Sequence, residues 1–225
     1  MKKYFAVAKV NFKYTTWISY MIAAICGVAM IVDMILDRVL NNTGDSTVSV
    51  YSMLYLVPLS APIFIASVNY VKLMNLGVKK KTYFLGCIIN YVIFAAIISF
   101  VGVLETYTLD NYLNSSSSTV YGLIEVFGWD KNVLTAFFSQ FAFLLLLESV
   151  VHTLTFMQTK WYGWAADVLI VAIISVFTPI SALRKAESFF LYMTIYSHPV
   201  VQFAVCVGLT ALIYATNLYY LKKRI

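Results

Sequence analysis

The chain has 225 residues, of which 61% are hydrophobic and only 12% charged, and its formal net charge is +6. Soluble domains are about half apolar and about a quarter charged, so a mean hydropathy of +0.82 excludes a single water-soluble core. The composition points to an all-α polytopic membrane protein.

A bilayer core of ~30 Å needs about 20 apolar helical residues, and in lipid the backbone must satisfy its own hydrogen bonds. The ~10-residue alternating segments of a membrane β-barrel do not occur. Residues 1–16 read as an amphipathic helix lying in the membrane interface. Tyr4, Phe5, Val7, Ala8 and Phe12 gather on one side, Lys2, Lys3, Lys9 and Lys13 on the other, and only Val10 is misplaced. Six expected spans follow: Trp17–Leu36, Tyr51–Tyr70, Tyr83–Leu104, Val133–Phe156, Gly163–Ile180 and Pro199–Leu221. The first is expected to be a retained helix. Its apolar run is too long for a signal peptide, it carries Asp33, and no small-x-small cleavage site follows.

Pro58 and Pro62 are expected to kink or break the second span. The stretch 105–132 reads as an outer loop with a polar Asn114–Ser118 run. Its Tyr121, Leu123, Ile124, Phe127 and Trp129 suggest an interfacial helix or turn, or else the aromatic anchor of a solvated linker. Ser181–His198, with Phe189, Phe190, Leu191, Tyr192 and Ile195, is too apolar for a free loop and is expected to dip into the outer leaflet. Ser197 or His198 before Pro199 reads as a helix start. Cys26, Cys87 and Cys206 fall inside spans, in no motif spacing, and read as small buried residues without disulfides.

Charge orients the bundle. With the N-terminus inside, twelve cations fall on the inner side: Lys2, Lys3, Lys9, Lys13, Lys72, Lys79, Lys80, Lys81, Lys160, Lys222, Lys223 and Arg224. Only Arg38, Lys131, Arg184 and Lys185 fall outside. The positive-inside rule therefore predicts both termini in the cytoplasm, and the positive charge calls for anionic lipid rather than nucleic acid.

Charged groups at membrane depth are costly and attract a functional hypothesis. Glu148 lies mid-span, with His152 one turn further on the same face. The two read as part of a translocation path or proton-sensitive gate. The structural alternative bonds them to each other, to Asn90 or to a neighbouring Ser or Thr. Asp33, Pro58 and Pro62 join them as candidate path residues; Asp37 is expected to meet Arg38 or headgroups, and Asp167 to meet Lys160 or water. A metal site needs three or four ligands, and no metal is expected.

The segment Val71–Lys81 separates the second and third spans on the basic side. Val71, Leu73, Met74 and Leu76 form a short helix, Gly77 supplies a left-handed stop, and Lys79–Lys81 meet the lipid surface. An ordinary basic loop does not need that apolar content. The alternative is a helix docking into a groove on a cytoplasmic partner.

The run "LMNLGVKKKTYFLG", Leu73–Gly86, resembles the coupling-helix region of ABC-2 type exporter permeases, closest to small six-helix subunits of Gram-positive bacteria. Lys79 stands where Ser or Thr is common in that family. The resemblance implies a type V exporter-like architecture in a bacterial plasma membrane, with residues 71–82 as coupling helix. Leu73, Met74, Leu76, Gly77, Lys79 and Lys80 would contact a separate ATPase subunit. ATP and Mg would reside on that subunit, a second permease copy or paralogue would complete a dimer, and this chain would itself be no enzyme. The absence of a G-x-x-x-x-G-K-[ST] loop agrees. Small-x-x-x-small pairs at Ala23/Gly27 and Ala204/Gly208 suit close helix contact. The implied function is export of an amphipathic peptide, antibiotic or lipid-like molecule. Two other readings compete: a substrate-binding subunit of an energy-coupling-factor vitamin importer, and an intramembrane enzyme using Glu148 and His152.

Overall fold

The computed structural model describes residues 2–39, 54–113, 132–158, 160–177, 179–196 and 198–223. Among these residues there is no strand. Helix α1 is Lys2–Val39. Next come α2 (Leu56–Phe64), a π-helical turn (Ile65–Asn69) and α3 (Tyr70–Asn75). The two long helices α4 (Lys80–Leu113) and α5 (Val133–Met157) follow. After α6 (Trp161–Phe177) and α7 (Ser181–Leu191), a second π-turn at Tyr192–Tyr196 leads to α8 (Pro199–Lys223). Among the described residues four stretches are long and apolar enough to cross a membrane: Leu56–Asn75, Lys80–Leu104, Val133–Met157 and Pro199–Leu218; Trp161–Ile173 is a shorter apolar helix.

Helix α5 is the hub. It packs on α8, α4, α2 and α6, and its buried residues include Ala136, Ser139, Leu144, Leu146, Glu148 and His152. A helix covered on several sides is apolar around most of its circumference. Its start is set by Asn132, whose Oδ1 accepts the Leu134 N–H at 3.1 Å, an N-cap that satisfies one orphan donor of the first turn.

The N-terminal segment differs from expectation. Residues 2–16 form no separate interfacial helix, because α1 continues without a break through Trp17 to Val39. Its inward stripe is Val7, Ala8, Asn11 and Thr15, all at most 5% exposed. This stripe runs parallel to α4: Val7 sits against Gly86, Asn11 Nδ2 donates to Cys87 Sγ at 3.7 Å, and Phe12 stacks on Phe94 at 5.4 Å. A Cβ at Gly86 would lie 2.6 Å from Val7 Cγ1, so only glycine lets the two backbones come this close. The amphipathic wheel is real, with Lys3, Lys9 and Lys13 exposed opposite the stripe. Val7, Ala8 and Phe12 of its apolar side are turned into the bundle, while Phe5 stays exposed.

The second span also departs in detail. Pro58 lies in the first turn of α2, where a missing N–H costs nothing, and the helix continues past Pro62 as well. The irregularity comes three residues later, as the π-turn in which the Tyr70 N–H reaches the Ile65 carbonyl. Pro62 brings no N–H for the Pro58 carbonyl four residues back, and such gaps in the ladder favour local re-spacing. The third helix also outlasts its predicted span, with Glu105–Leu113 continuing α4. The aromatic segment expected at 121–129 lies outside the described residues.

Residues 181–196, expected to dip back, are helical and return to the bundle. Gln202 Nε2 donates to the Thr194 carbonyl at 2.9 Å and to the Ser139 carbonyl at 3.1 Å, tying the second π-turn to α5 and α8. Cys206 Sγ adds a 3.6 Å contact to the same Thr194 carbonyl. Cys87 and Cys206 are both buried and free, as small packing residues.

One end of the bundle gathers the cations. Tyr70 packs edge-on against both Tyr83 and Phe156, and Asn217 Nδ2 donates to Thr153 Oγ1 at 2.6 Å. These contacts bring together the α3–α4 turn, the end of α5 and the end of α8, while Val7 sets the start of α1 beside Gly86. Lys72, Lys79, Lys81 and Lys160 are exposed at this end. Part of the charge sorting by sequence therefore corresponds to a basic pole in space, whereas the stacking of Phe12 on Phe94 sets the neighbouring Lys13 well along α4.

Candidate functional site

Two features of the fold concentrate chemistry: the basic pole around Gly77 and the polar interior around Glu148.

At the pole, α3 closes with Gly77 at φ +77°. The Val78 N–H reaches the Leu73 carbonyl at 3.1 Å and the Gly77 N–H reaches the Met74 carbonyl at 2.9 Å. This is a Schellman cap, the arrangement that lets glycine end a helix without strain. Leu73 is only 4% exposed, and Met74 and Val78 pack on the same core cluster. The expectation of a free docking helix with Leu73 and Met74 outward is thus corrected. Val71–Asn75 is the last turn of a helix that continues through the π-turn from α2, and its apolar side is used internally. Leu76 remains, 77% exposed at the tip of the turn, with Lys79 exposed and Lys80 half-buried beside it.

The turn is anchored from within. The Tyr83 hydroxyl donates to the Ile65 carbonyl at 2.5 Å, so that carbonyl serves both Tyr83 and Tyr70. A π-turn widens the backbone and presents a carbonyl to side chains, which is why such turns recur at functional positions.

In the interior, Glu148 and His152 share the buried face of α5, as their spacing predicts. They are not bonded to each other. His152 Nδ1 and the Tyr91 hydroxyl share a hydrogen bond of 2.5 Å, and Phe84, Tyr91 and Phe156 surround the imidazole with ring centroids 5.5–6.1 Å away. Neither Glu148 oxygen has a hydrogen-bond partner, nor do the two polar atoms of Asn90. Pro58 and Pro62 are buried on α2, away from solvent. Asp33 and Asp37 ride on α1 with side chains outside the described residues. Asp167 Oδ2 accepts from Gln158 Nε2 at 3.0 Å, in an exposed contact. Among the described residues no group of three or more His, Cys, Asp or Glu is arranged to hold a metal.

Sequence reasoning missed Tyr91, Tyr83, Gln140 and Asn11. Gln140 Nε2 donates to the Tyr55 hydroxyl at 2.6 Å, again across helices. The available signal was a polar residue inside an apolar span; the partners lie far away in sequence and no spacing reveals them.

No protein-family model, curated protein or solved structure matches this chain.

Proposed function

We propose that the chain is the permease subunit of an ATP-driven exporter, worked from its basic pole by a separate cytoplasmic ATPase. In this reading α1 and α6 join the four long apolar stretches to make six spans, both termini lie in the cytoplasm of a bacterial cell, and ABC-2 architecture follows. Two copies or paralogues form the transport unit, ATP and Mg belong to the partner, and the cargo is an amphipathic peptide, antibiotic or lipid-like molecule.

The observation that carries this reading is the capped turn at Gly77. It projects Leu76 and Lys79 from the pole while Leu73, Met74 and Val78 root it in the core. An exposed apolar tip within a basic rim suits a groove on an acidic-rimmed protein. Because the tip belongs to the same helical rod as α2, a push on Leu76 is delivered to a membrane helix rather than lost in a loop. The sequence resemblance over Leu73–Gly86 supports the same partner. Ala204 and Gly208 leave α8 an exposed small-residue face against which none of the described residues packs closely at Gly208, which suits pairing with a second permease.

Co-purification tests it. The affinity-tagged chain, expressed in its own host, retains an ABC ATPase subunit; Leu76→Glu loses it while keeping the wild-type melting temperature. Retention by a folded Leu76→Glu variant removes the coupling role from this turn. Leu73→Glu is unsuitable for this purpose, since a buried charge unfolds the turn itself.

A further inference from the structure

Glu148 is fully buried at the centre of the bundle, and neither of its oxygens meets a hydrogen-bond donor from the chain. Natural interiors almost always pair buried polar groups, and an isolated carboxylate is the costliest kind to leave bare. Among the described residues no Lys or Arg is buried, and His152, one turn along α5, has its Nδ1 engaged with Tyr91. From the helices packed against α5, Tyr91 of α4 and Tyr214 of α8 come within electrostatic reach of Glu148, and the Tyr214 hydroxyl also lacks a partner. The other titratable groups on those neighbours include Tyr83 and Cys87 of α4, Tyr55 before α2 and Asp167 of α6. The cations on those neighbours are Lys80 and Lys81 in the first turn of α4 and Lys222 and Lys223 at the end of α8; Lys80 is half-buried and Lys81 exposed.

We propose that Glu148 is a binding site for a small monovalent cation, a proton or a sodium ion, taken up from outside the chain. The Glu148 carboxylate supplies the charge from a fully buried position, with Tyr91 and Tyr214 within electrostatic reach. The site stands independently of the ATPase partner proposed above, since its geometry involves α4, α5 and α8 and not the turn at Gly77.

The full chain in lipid nanodiscs tests it, with glutamate labelled by carbon-13 at the carboxyl. A bound proton gives an infrared carboxylic-acid band that shifts with the label and disappears in Glu148→Gln. A bound sodium ion instead gives a melting temperature that rises with sodium chloride but not with choline chloride, as ligand linkage requires; Glu148→Gln abolishes the rise. Should Glu148→Gln fail to fold, a variant carrying Glu105→Gln, Glu125→Gln and Glu187→Gln leaves Glu148 as the single labelled glutamate for the same two measurements. An ionised Glu148 band at neutral pH together with a melting temperature indifferent to sodium overturns the proposal.

Discussion

The Tyr83 hydroxyl donates to the Ile65 carbonyl at 2.5 Å, bracing the first turn of α4 against the π-turn eighteen residues earlier. The bond closes the Leu73–Val78 turn from behind. Removing it with Tyr83→Phe keeps the ring that packs on Tyr70 and leaves the Ile65 carbonyl its Tyr70 N–H. A cost of about 1 kcal/mol follows. Hydrogen exchange is expected to quicken at residues 65–70 and stay unchanged along α8; uniform quickening would mean that the bond is not local to the π-turn.

Gly86 allows α1 and α4 to touch. Gly86→Ala places a methyl 2.6 Å from Val7 Cγ1 and 2.9 Å from Val7 Cβ, an overpacking expected to cost about 1–3 kcal/mol. Adding Val7→Ala removes the nearer clash and recovers part of that loss. Melting temperatures of the two variants check the contact, and a Gly86→Ala variant as stable as wild type would refute it.

Leu73 and Leu76 are three residues apart, yet one is 4% exposed and the other 77%. Leu73→Ala empties a packed position and is expected to cost about 2–5 kcal/mol. Leu76→Ala should stay within about 0.5 kcal/mol of wild type. Thermal unfolding in detergent measures both, and a reversed order would mean that the turn faces the other way.

Gln202 holds the returning segment by two bonds, to the Thr194 and Ser139 carbonyls. Gln202→Met keeps the length and loses both donors, at a cost of about 1–3 kcal/mol. Trypsin should then cut sooner at Arg184 and Lys185, with cleavage at Lys79–Lys81 unaffected. Unchanged cutting at Arg184 would show that the second π-turn is held elsewhere.

Much of the framework was legible because apolar length and punctuation are local signals. The expected span starting at Val133 coincides with α5, and Pro199 opens α8 as its fixed φ suggests. Gly77 ends α3 in the left-handed conformation its position implied. The misread segment is instructive. Tyr4–Phe12 shows one apolar face, and periodicity cannot say whether lipid or another helix covers it. The partner's contribution was a missing side chain, Gly86, which carries no periodic signal. The polar interior was half legible: Glu148 and His152 stood out for residing in an apolar span, while Tyr91, 61 residues from His152 in sequence, did not.

The sequence alone determined the helical character, the presence of helices long and apolar enough to cross a membrane, and several of the places where helices begin and stop. All of these follow from composition and from preferences acting within a few residues. Tertiary structure decided which side of each helix is used inside. It turned Leu73 inward and left Leu76 outward, paired His152 with Tyr91 instead of Glu148, and laid the N-terminal stripe on α4. Those outcomes depend on close packing between segments distant in sequence, where a single methyl or hydroxyl settles which surfaces meet.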